Sequence, residues 1–382
     1  MWVTSSCNAA LTPTAVALGN FDGLHLGHRQ VVQPILNRLT LSDTLGKPRG
    51  PQPRVSVSLG EGITCSQEIV ARDGEEPSSE RHDCELNHGP EPMTAEGKPL
   101  VSSSNLVERA YRTVVTFNPH PQEYFSGQPR QLLTPLPEKV ELLQAMGVEQ
   151  LVLLPFDREL AALTPAEFVE EILVRQLQAQ QISVGLDFRF GQNRAGTAAD
   201  LQAIAASFGI EVTLVPLQTS LGERISSSVI RQALCDGDLS RANSLLGRPY
   251  KLVGQVVTGQ QLGRTIGFPT ANLQFPPEKF LPRFGVYAVR ASIQETATCH
   301  PLPPPSPLLG VMNVGCRPTV EGQHPTVEVH LLDWGGDLYG KTLTVSLEHF
   351  LRPEQKFPSL EALKAQILAD CAVAKRVLTT NG

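Results

Sequence analysis

Two histidines three residues apart, behind a glycine turn, carry the strongest chemical signal in this sequence. They close the stretch Ala15-Val-Ala-Leu-Gly-Asn-Phe-Asp-Gly-Leu-His-Leu-Gly-His28. Its apolar opening predicts a buried strand, its glycines a sharp turn, and its end a helix starting near Gly27. Gly19 and Gly23 allow positive φ or close backbone approach, and the free N–H groups of a helix start favour anions. His25 and His28 then stand beside a phosphate-sized pocket, placed to donate hydrogen bonds to charge building on a phosphoryl group. Solvated histidines in a polar turn would explain a lone pair, but not the pair together with its strand and glycines.

A second phosphate-holding pattern is Arg224-Ile-Ser-Ser-Ser-Val-Ile-Arg231. Small hydroxyls before a helical Val-Ile-x-x-Ala-Leu run make an N-cap whose N–H and hydroxyl groups can hold phosphate. Capping explains one serine; three serines between two arginines ask for more, and the guanidinium fork suits phosphate oxygens. A third lies at Gly259-Gln-Gln-Leu-Gly-Arg-Thr-Ile-Gly-Phe-Pro-Thr-Ala-Asn272. Gly259, Gly263 and Gly267 let backbone N–H groups close on phosphates, while Thr270 and Asn272 offer oxygen ligands to Mg²⁺. Without a G-K-[ST] ending it is not a Walker loop, and a hairpin connection is its plainer reading. In Thr326-Val-Glu-Val-His-Leu-Leu-Asp333, strand alternation sets Glu328 and His330 on one face.

Gly-Asn-Phe-Asp-Gly-Leu-His-Leu-Gly-His resembles the H-x-G-H signature of nucleotidylyltransferases, in particular the FMN adenylyltransferase branch of bacterial bifunctional riboflavin kinase/FAD synthetases. Thr116-Phe-Asn-Pro-His-Pro121, Leu133-Thr-Pro-Leu-Pro-Glu-Lys139, Gly185-Leu-Asp-Phe-Arg-Phe-Gly191 and the serine motif are similar to that family's motifs, with Ser228 where the family has Thr. Gly-Phe-Pro-Thr-Ala-Asn-Leu resembles riboflavin kinases, as do Asn313-Val-Gly-Cys-Arg-Pro-Thr319, Gly336-Asp-Leu-Tyr-Gly340 and Leu351-Arg-Pro-Glu354.

The resemblance implies phosphorylation of riboflavin to FMN by ATP in the C-terminal part. There Glu328 would be the base, Thr270 and Asn272 would hold Mg²⁺ and phosphates, and Arg352 and Glu354 would flank the flavin. It implies adenylylation of FMN to FAD by a second ATP in the N-terminal part. There ATP would meet Gly19, Phe21, Asp22, Gly23, His25, His28, Arg224, Ser227 and Ser228, and the flavin side would meet Asn118, Asp187 and Phe188. Asp187 is read equally as a metal or ribose contact and as a turn cap, and Phe21, Phe188 and Phe190 are candidates to stack on the isoalloxazine. Two other readings stand beside this one: an adenylyltransferase for another phosphorylated acceptor, and a flavin-binding protein without turnover.

The elements that must position these groups alternate. Strands are expected near Val114–Phe117, Gln150–Pro155, Ile182–Gly185 and Ile210–Pro216. Helices are expected to Leu39, over Pro135–Met146, Pro165–Gln178, Asp200–Phe208 and Asp238–Leu246. That βα order means a parallel sheet covered on both faces, a Rossmann-like domain. The prolines after Asn118 are expected to force an extended exit past His120. Beyond Gly247 the alternation stops. Six short strands between Lys251 and Phe350, then a helix from Leu360 to about Val377, suggest a small β-barrel with a C-terminal helix. We divide the chain into residues 1–246 and 247–382. Residues 41–110, rich in Pro, Ser, Gly and Glu, read as a disordered insertion. Within them His82, Cys84 and His88 lack the fourth ligand that structural zinc usually has. The Pro-rich 299–307 stretch reads as a surface loop.

The 382 residues suffice for two cores, and a net charge of −6 gives no footprint for nucleic acid or an anionic membrane. No apolar run reaches the ~20 residues that span a bilayer, and no secretory leader is read. Seven scattered cysteines without a C-x-x-C pair suggest reduced thiols. The expectation is a cytoplasmic enzyme of small-molecule substrates, monomeric or weakly homo-oligomeric.

Overall fold

Every residue of the strand Thr14–Leu18 is buried, as a central strand covered on both faces requires. The computed structural model describes residues 1–37, 109–220, 222–259, 262–294, 307–319 and 322–380. The expected insertion with His82, Cys84 and His88 lies outside the described residues apart from its last two, and the Pro-rich 299–307 stretch apart from Pro307.

Six parallel strands form the N-terminal sheet: β1 (Trp2–Thr4), β2 (Thr14–Leu18), β3 (Tyr111–Asn118), β4 (Gln150–Pro155), β5 (Ala179–Gly185) and β6 (Glu211–Val215). They lie in the order β1-β4-β3-β2-β5-β6. The chain steps outward from β2 to β3 and β4, then returns to β5 and β6 on the other side. Strand order therefore reverses between β2 and β5, where open α/β sheets bind ligands. Side chains alternate between two cores, Val16, Leu18, Val115 and Val152 on one face and Ala15, Ala17, Val114 and Leu151 on the other.

The helix after β2 runs Leu26–Leu36, one residue earlier than expected at its start and ending within the described residues at Asn37. Three features depart from expectation. β1 is an extra edge strand. After β3 the chain does not stay extended but forms the helix Pro121–Ser126, capped by the His120 side chain and closed by left-handed Gly127. Pro121 sits at the first helical position, where its missing N–H costs nothing. The helix read over Pro165–Gln178 begins as an α-turn at Pro165–Glu167 and widens over Phe168–Gln176, so that Leu177 N donates to Ile172 O at 3.0 Å.

The second half is a closed antiparallel barrel of β7 (Tyr250–Val257), β8 (Ala271–Gln274), β9 (Gly285–Gln294), β10 (Leu308–Thr319), β11 (Gly322–Leu331) and β12 (Thr342–Pro353). The strands close in the order β7-β8-β11-β10-β9-β12. Leu252, Leu273, Tyr287, Met312, Val329 and Val345 fill its interior. The helix Leu360–Thr380 covers the outside of β9 and β10, packing Ala374 and Leu378 on Val286, Ala288 and Val311. The barrel core continues into Leu133, Ile230, Leu234 and Leu245, so the α/β part and the barrel share one apolar cluster and one compact unit.

Candidate active sites

A cleft of about 970 Å³ opens where the strand order reverses, at the C-terminal ends of β2 and β5. Its floor is the turn after β2. Phe21, Gly23 and Leu24 all take positive φ, and at Gly23 (φ +88°) a Cβ would lie 2.9 Å from Leu133 Cδ1. This turn delivers His25 as the helix N-cap, its Nδ1 accepting from His28 N at 3.2 Å. The two imidazoles stack with centroids 3.7 Å apart. His28 Nδ1 is buried and meets no hydrogen-bond partner among the described residues.

Burial pushes His25 down to about 4, with Asp22 opposing, and holds His28 well below the usual histidine range, helped by His25 and Lys139. His120, also on the cleft, is lowered to about 4 by burial and then by Arg130. All three are therefore neutral donors or acceptors at neutral pH. The consequence for stability has a definite sign. Above the ordinary value near 6.5 neither state binds these protons; below it the unfolded chain takes them up and the folded chain does not. Stability should fall as pH drops from about 6.5 towards 4. Urea midpoints measured between about pH 7.5 and 5 check this, and a flat profile would contradict it.

The three serines opposite have three roles. Ser226 caps the helix Ser227–Asp236 by accepting from Val229 N. Ser227 Oγ donates to Asp22 O at 2.8 Å, tying the two phosphate-holding segments together. Ser228 is exposed on the cleft wall. Arg224 and Asp187, both about half exposed on the cleft lining, form an ion pair.

Not every residue expected here reaches the cleft freely. Asp22 is 3% exposed, and its carboxylate accepts from Thr134 N at 3.2 Å and pairs with Arg231. That pair also takes Arg231 out of the set of free cations. Phe21 and Phe190 line the cleft from within the two cores, at 0% and 5% exposure. Gly19 lies against the Phe21 ring. Asn118 is exposed at the end of β3, its carbonyl accepting from Phe156 N, and it does not line the cleft. Phe188 does, stacked on Phe190.

Sequence reasoning missed the opposite wall. Phe125, 71% exposed, and Tyr124 pack edge-on against Phe156, which meets Phe117. Arg130 joins them, its Nε buried without a partner among the described residues. A proline-started, two-aromatic helix after Asn-Pro-His-Pro was the only available signal.

The barrel holds a second constellation. A cavity of about 620 Å³ lies between β7, β8, β11 and the turn Trp334–Tyr339, with Thr270 on its rim. Val327 and Val329 face the barrel core, so alternation sends Glu328 to the outer face. Asn272 and Asn313 stand in register with Glu328 on its two neighbouring strands. Thr270 Oγ1 donates to Glu328 Oε2 at 3.3 Å, and His330, on the same face, reaches Pro269 O through Nδ1 at 2.8 Å.

Gly259 admits the Asn272 side chain, whose Nδ2 lies 2.2 Å from where a Cβ would be, and Gly263 folds back on Phe268 O. Gly267 takes φ +91°. Glu354 joins the group, its Oε1 2.5 Å from a Cβ built at Gly315 and beside Asn313. Arg352 does not: its guanidinium binds Asp370 through Nε and Nη2 at 2.8–3.1 Å and docks the C-terminal helix.

A riboflavin kinase family model matches residues 246–378, and an FAD synthetase model matches residues 7–43 and 102–229. The bifunctional riboflavin kinase/FMN adenylyltransferase of Escherichia coli K12 is 43% identical over 264 residues, 69% of this chain and 81% of that protein. The chain belongs to this family. A member from Haemophilus influenzae Rd, of the same bifunctional riboflavin kinase/FMN adenylyltransferase name, is 32% identical over 372 residues, 97% of this chain and 96% of its own. A solved structure named "Macrolide-efflux Protein", from Streptococcus pneumoniae, is similar at TM-score 0.70 and 27% identity, covering 98% of each chain. Among the described residues no helix is long and apolar enough to cross a membrane.

Proposed function

We propose that this chain carries both activities in its relatives' name: the barrel phosphorylates riboflavin to FMN, and the α/β cleft adenylylates FMN to FAD. The observation that carries the reading is the stacked His25–His28 pair on a cleft that also presents Ser228 and Arg224. The labour divides near residue 246, where the kinase match begins.

In the barrel, Glu328 accepts the proton of the ribityl hydroxyl as its oxygen attacks the γ-phosphate of ATP. The bond to the β,γ-bridging oxygen breaks and ADP leaves. A hard cation suits the oxygen donors here: the Thr270 hydroxyl and the Asn272 amide oxygen, the latter cradled where Gly259 has no Cβ. Those two would hold Mg²⁺, which would neutralise phosphate charge.

In the cleft, a phosphate oxygen of FMN attacks the α-phosphate of ATP and pyrophosphate leaves, with no protein nucleophile. His25, His28, Ser228 and Arg224 donate to the charge that builds there. Gly23 and Ser227 shape the loop, and Asp22 holds it through Arg231. The isoalloxazine fits between Phe188 and the Phe125–Phe156 wall, with Glu354 flanking the flavin in the barrel. The protein acts in the cytoplasm on small molecules alone, as a monomer or weak homo-oligomer.

The test is a time course with riboflavin, ATP and Mg²⁺, the flavins being separated by chromatography. FMN should rise and then give way to FAD. FMN alone would leave the cleft silent or serving another acceptor, and neither product would favour a binding protein.

A further inference from the structure

Between them, the loop that carries Gly23 and the strap from Gln131 to Lys139 are held from the barrel side at four points. Arg248, inside the kinase match, donates to Gly23 O at 2.8 Å and Leu24 O at 3.2 Å, the two carbonyls just before His25. Beside it, left-handed Gly247 packs so closely on Leu26 that a Cβ would meet Leu26 Cδ2 at 2.4 Å. The strap grips the same loop: Thr134 binds Gly23 N and Asp22, and Lys139 Nζ donates to Asn20 O at 3.2 Å.

The strap itself is fastened to the barrel. Leu132 N donates to Glu278 O at 2.5 Å, and Phe280 N donates to Leu132 O at 2.9 Å. Lys279 Nζ, fully buried, donates to Leu133 O at 2.9 Å and to Glu138 at 2.6 Å. Phe280 lies under the Arg231 guanidinium that pairs with Asp22.

We infer that Arg248 and Lys279, two residues of the kinase half, are positioning residues for adenylyl transfer in the other half. They act through the Asn20–Leu24 backbone and the strap, and touch no substrate. The geometry explains why a loop with positive φ at Phe21, Gly23 and Leu24 holds one shape: Arg248 pins the Gly23 and Leu24 carbonyls, while the strap holds the Asn20 carbonyl through Lys139 and the Gly23 N–H through Thr134. Adenylylation needs those backbone groups and His25 placed to within a fraction of an ångström, whereas riboflavin phosphorylation takes place on the far side of β8 and β11.

The inference rests on the assignment of the cleft to FMN adenylylation, which the wild-type chain tests by itself when given FMN and ATP. The full chain is then compared with Arg248→Ala and with the pair Lys279→Met plus Glu138→Gln, which removes both charges so that neither is left buried alone. In each, kcat for FAD formation should drop roughly 10- to 100-fold. The KM for FMN should change less than about twofold, because ground-state contacts are elsewhere.

Riboflavin phosphorylation by the same preparations should stay within about twofold of wild type, which also reports that the barrel is folded. An unchanged kcat for FAD in either variant overturns the inference. So does a parallel loss of both activities, which would mean a purely structural role. A wild-type chain that makes no FAD from FMN would instead sink the assignment of the cleft.

Discussion

His28→Ala should abolish FAD formation while leaving FMN formation intact. The His28 imidazole lines the cleft, stacked on His25 with the Phe21 ring centroid 5.3 Å away. Burial also keeps the ring neutral, so it acts as an oriented hydrogen-bonding group rather than as a cation.

Removing one preorganised donor from a site of developing negative charge costs about 10²–10³ in rate. The His25 equivalent is a less clean test, because His25 also caps the helix through the His28 N–H. The measurement is the flavin time course with riboflavin, ATP and Mg²⁺. FMN should accumulate and persist. Loss of both products would contradict independent sites, and unchanged FAD formation would remove His28 from the chemistry.

Much of the fold was legible because both halves carry simple local periods. β4 was read to the residue from its unbroken apolar run, and most barrel strands to within a few residues of their ends, since buried and less buried residues alternate along them. The turn at Gly23 was legible because only glycine adopts its φ without strain.

What escaped was long-range. The Asp22–Arg231 pair spans 209 positions and Lys279–Glu138 spans 141, and nothing in a local window announces either. Those contacts turned Asp22 and Arg231 from free phosphate-site groups into each other's partners, and Arg352 into a clasp on Asp370. The depth of Phe21 was equally unannounced: its ring lines the cleft but is packed against Gly19 and carries no exposed surface. β1 was missed because three residues show no period, and the Pro121–Ser126 helix because its prolines argue locally for extension.

Glu328→Gln carries the second large effect: FMN formation should fall by about 10²–10⁴, the usual span of a general base. Glutamine keeps the volume and can still accept from Thr270, so β8 and β11 keep their pairing at Asn272. What it loses is the ability to take a proton. The substitution therefore separates binding from proton transfer, and the KM for riboflavin should stay within about threefold of wild type.

The barrel interior is untouched because Glu328 lies on its outer face between Asn272 and Asn313, so the variant should unfold at the wild-type urea concentration. FAD made from supplied FMN should continue at the wild-type rate, since the cleft lies in the other half of the chain. Retained riboflavin phosphorylation would show that positioning and phosphate neutralisation suffice here, with Glu328 reduced to orienting the hydroxyl. A rise in KM with kcat preserved would move Glu328 from proton transfer to substrate binding.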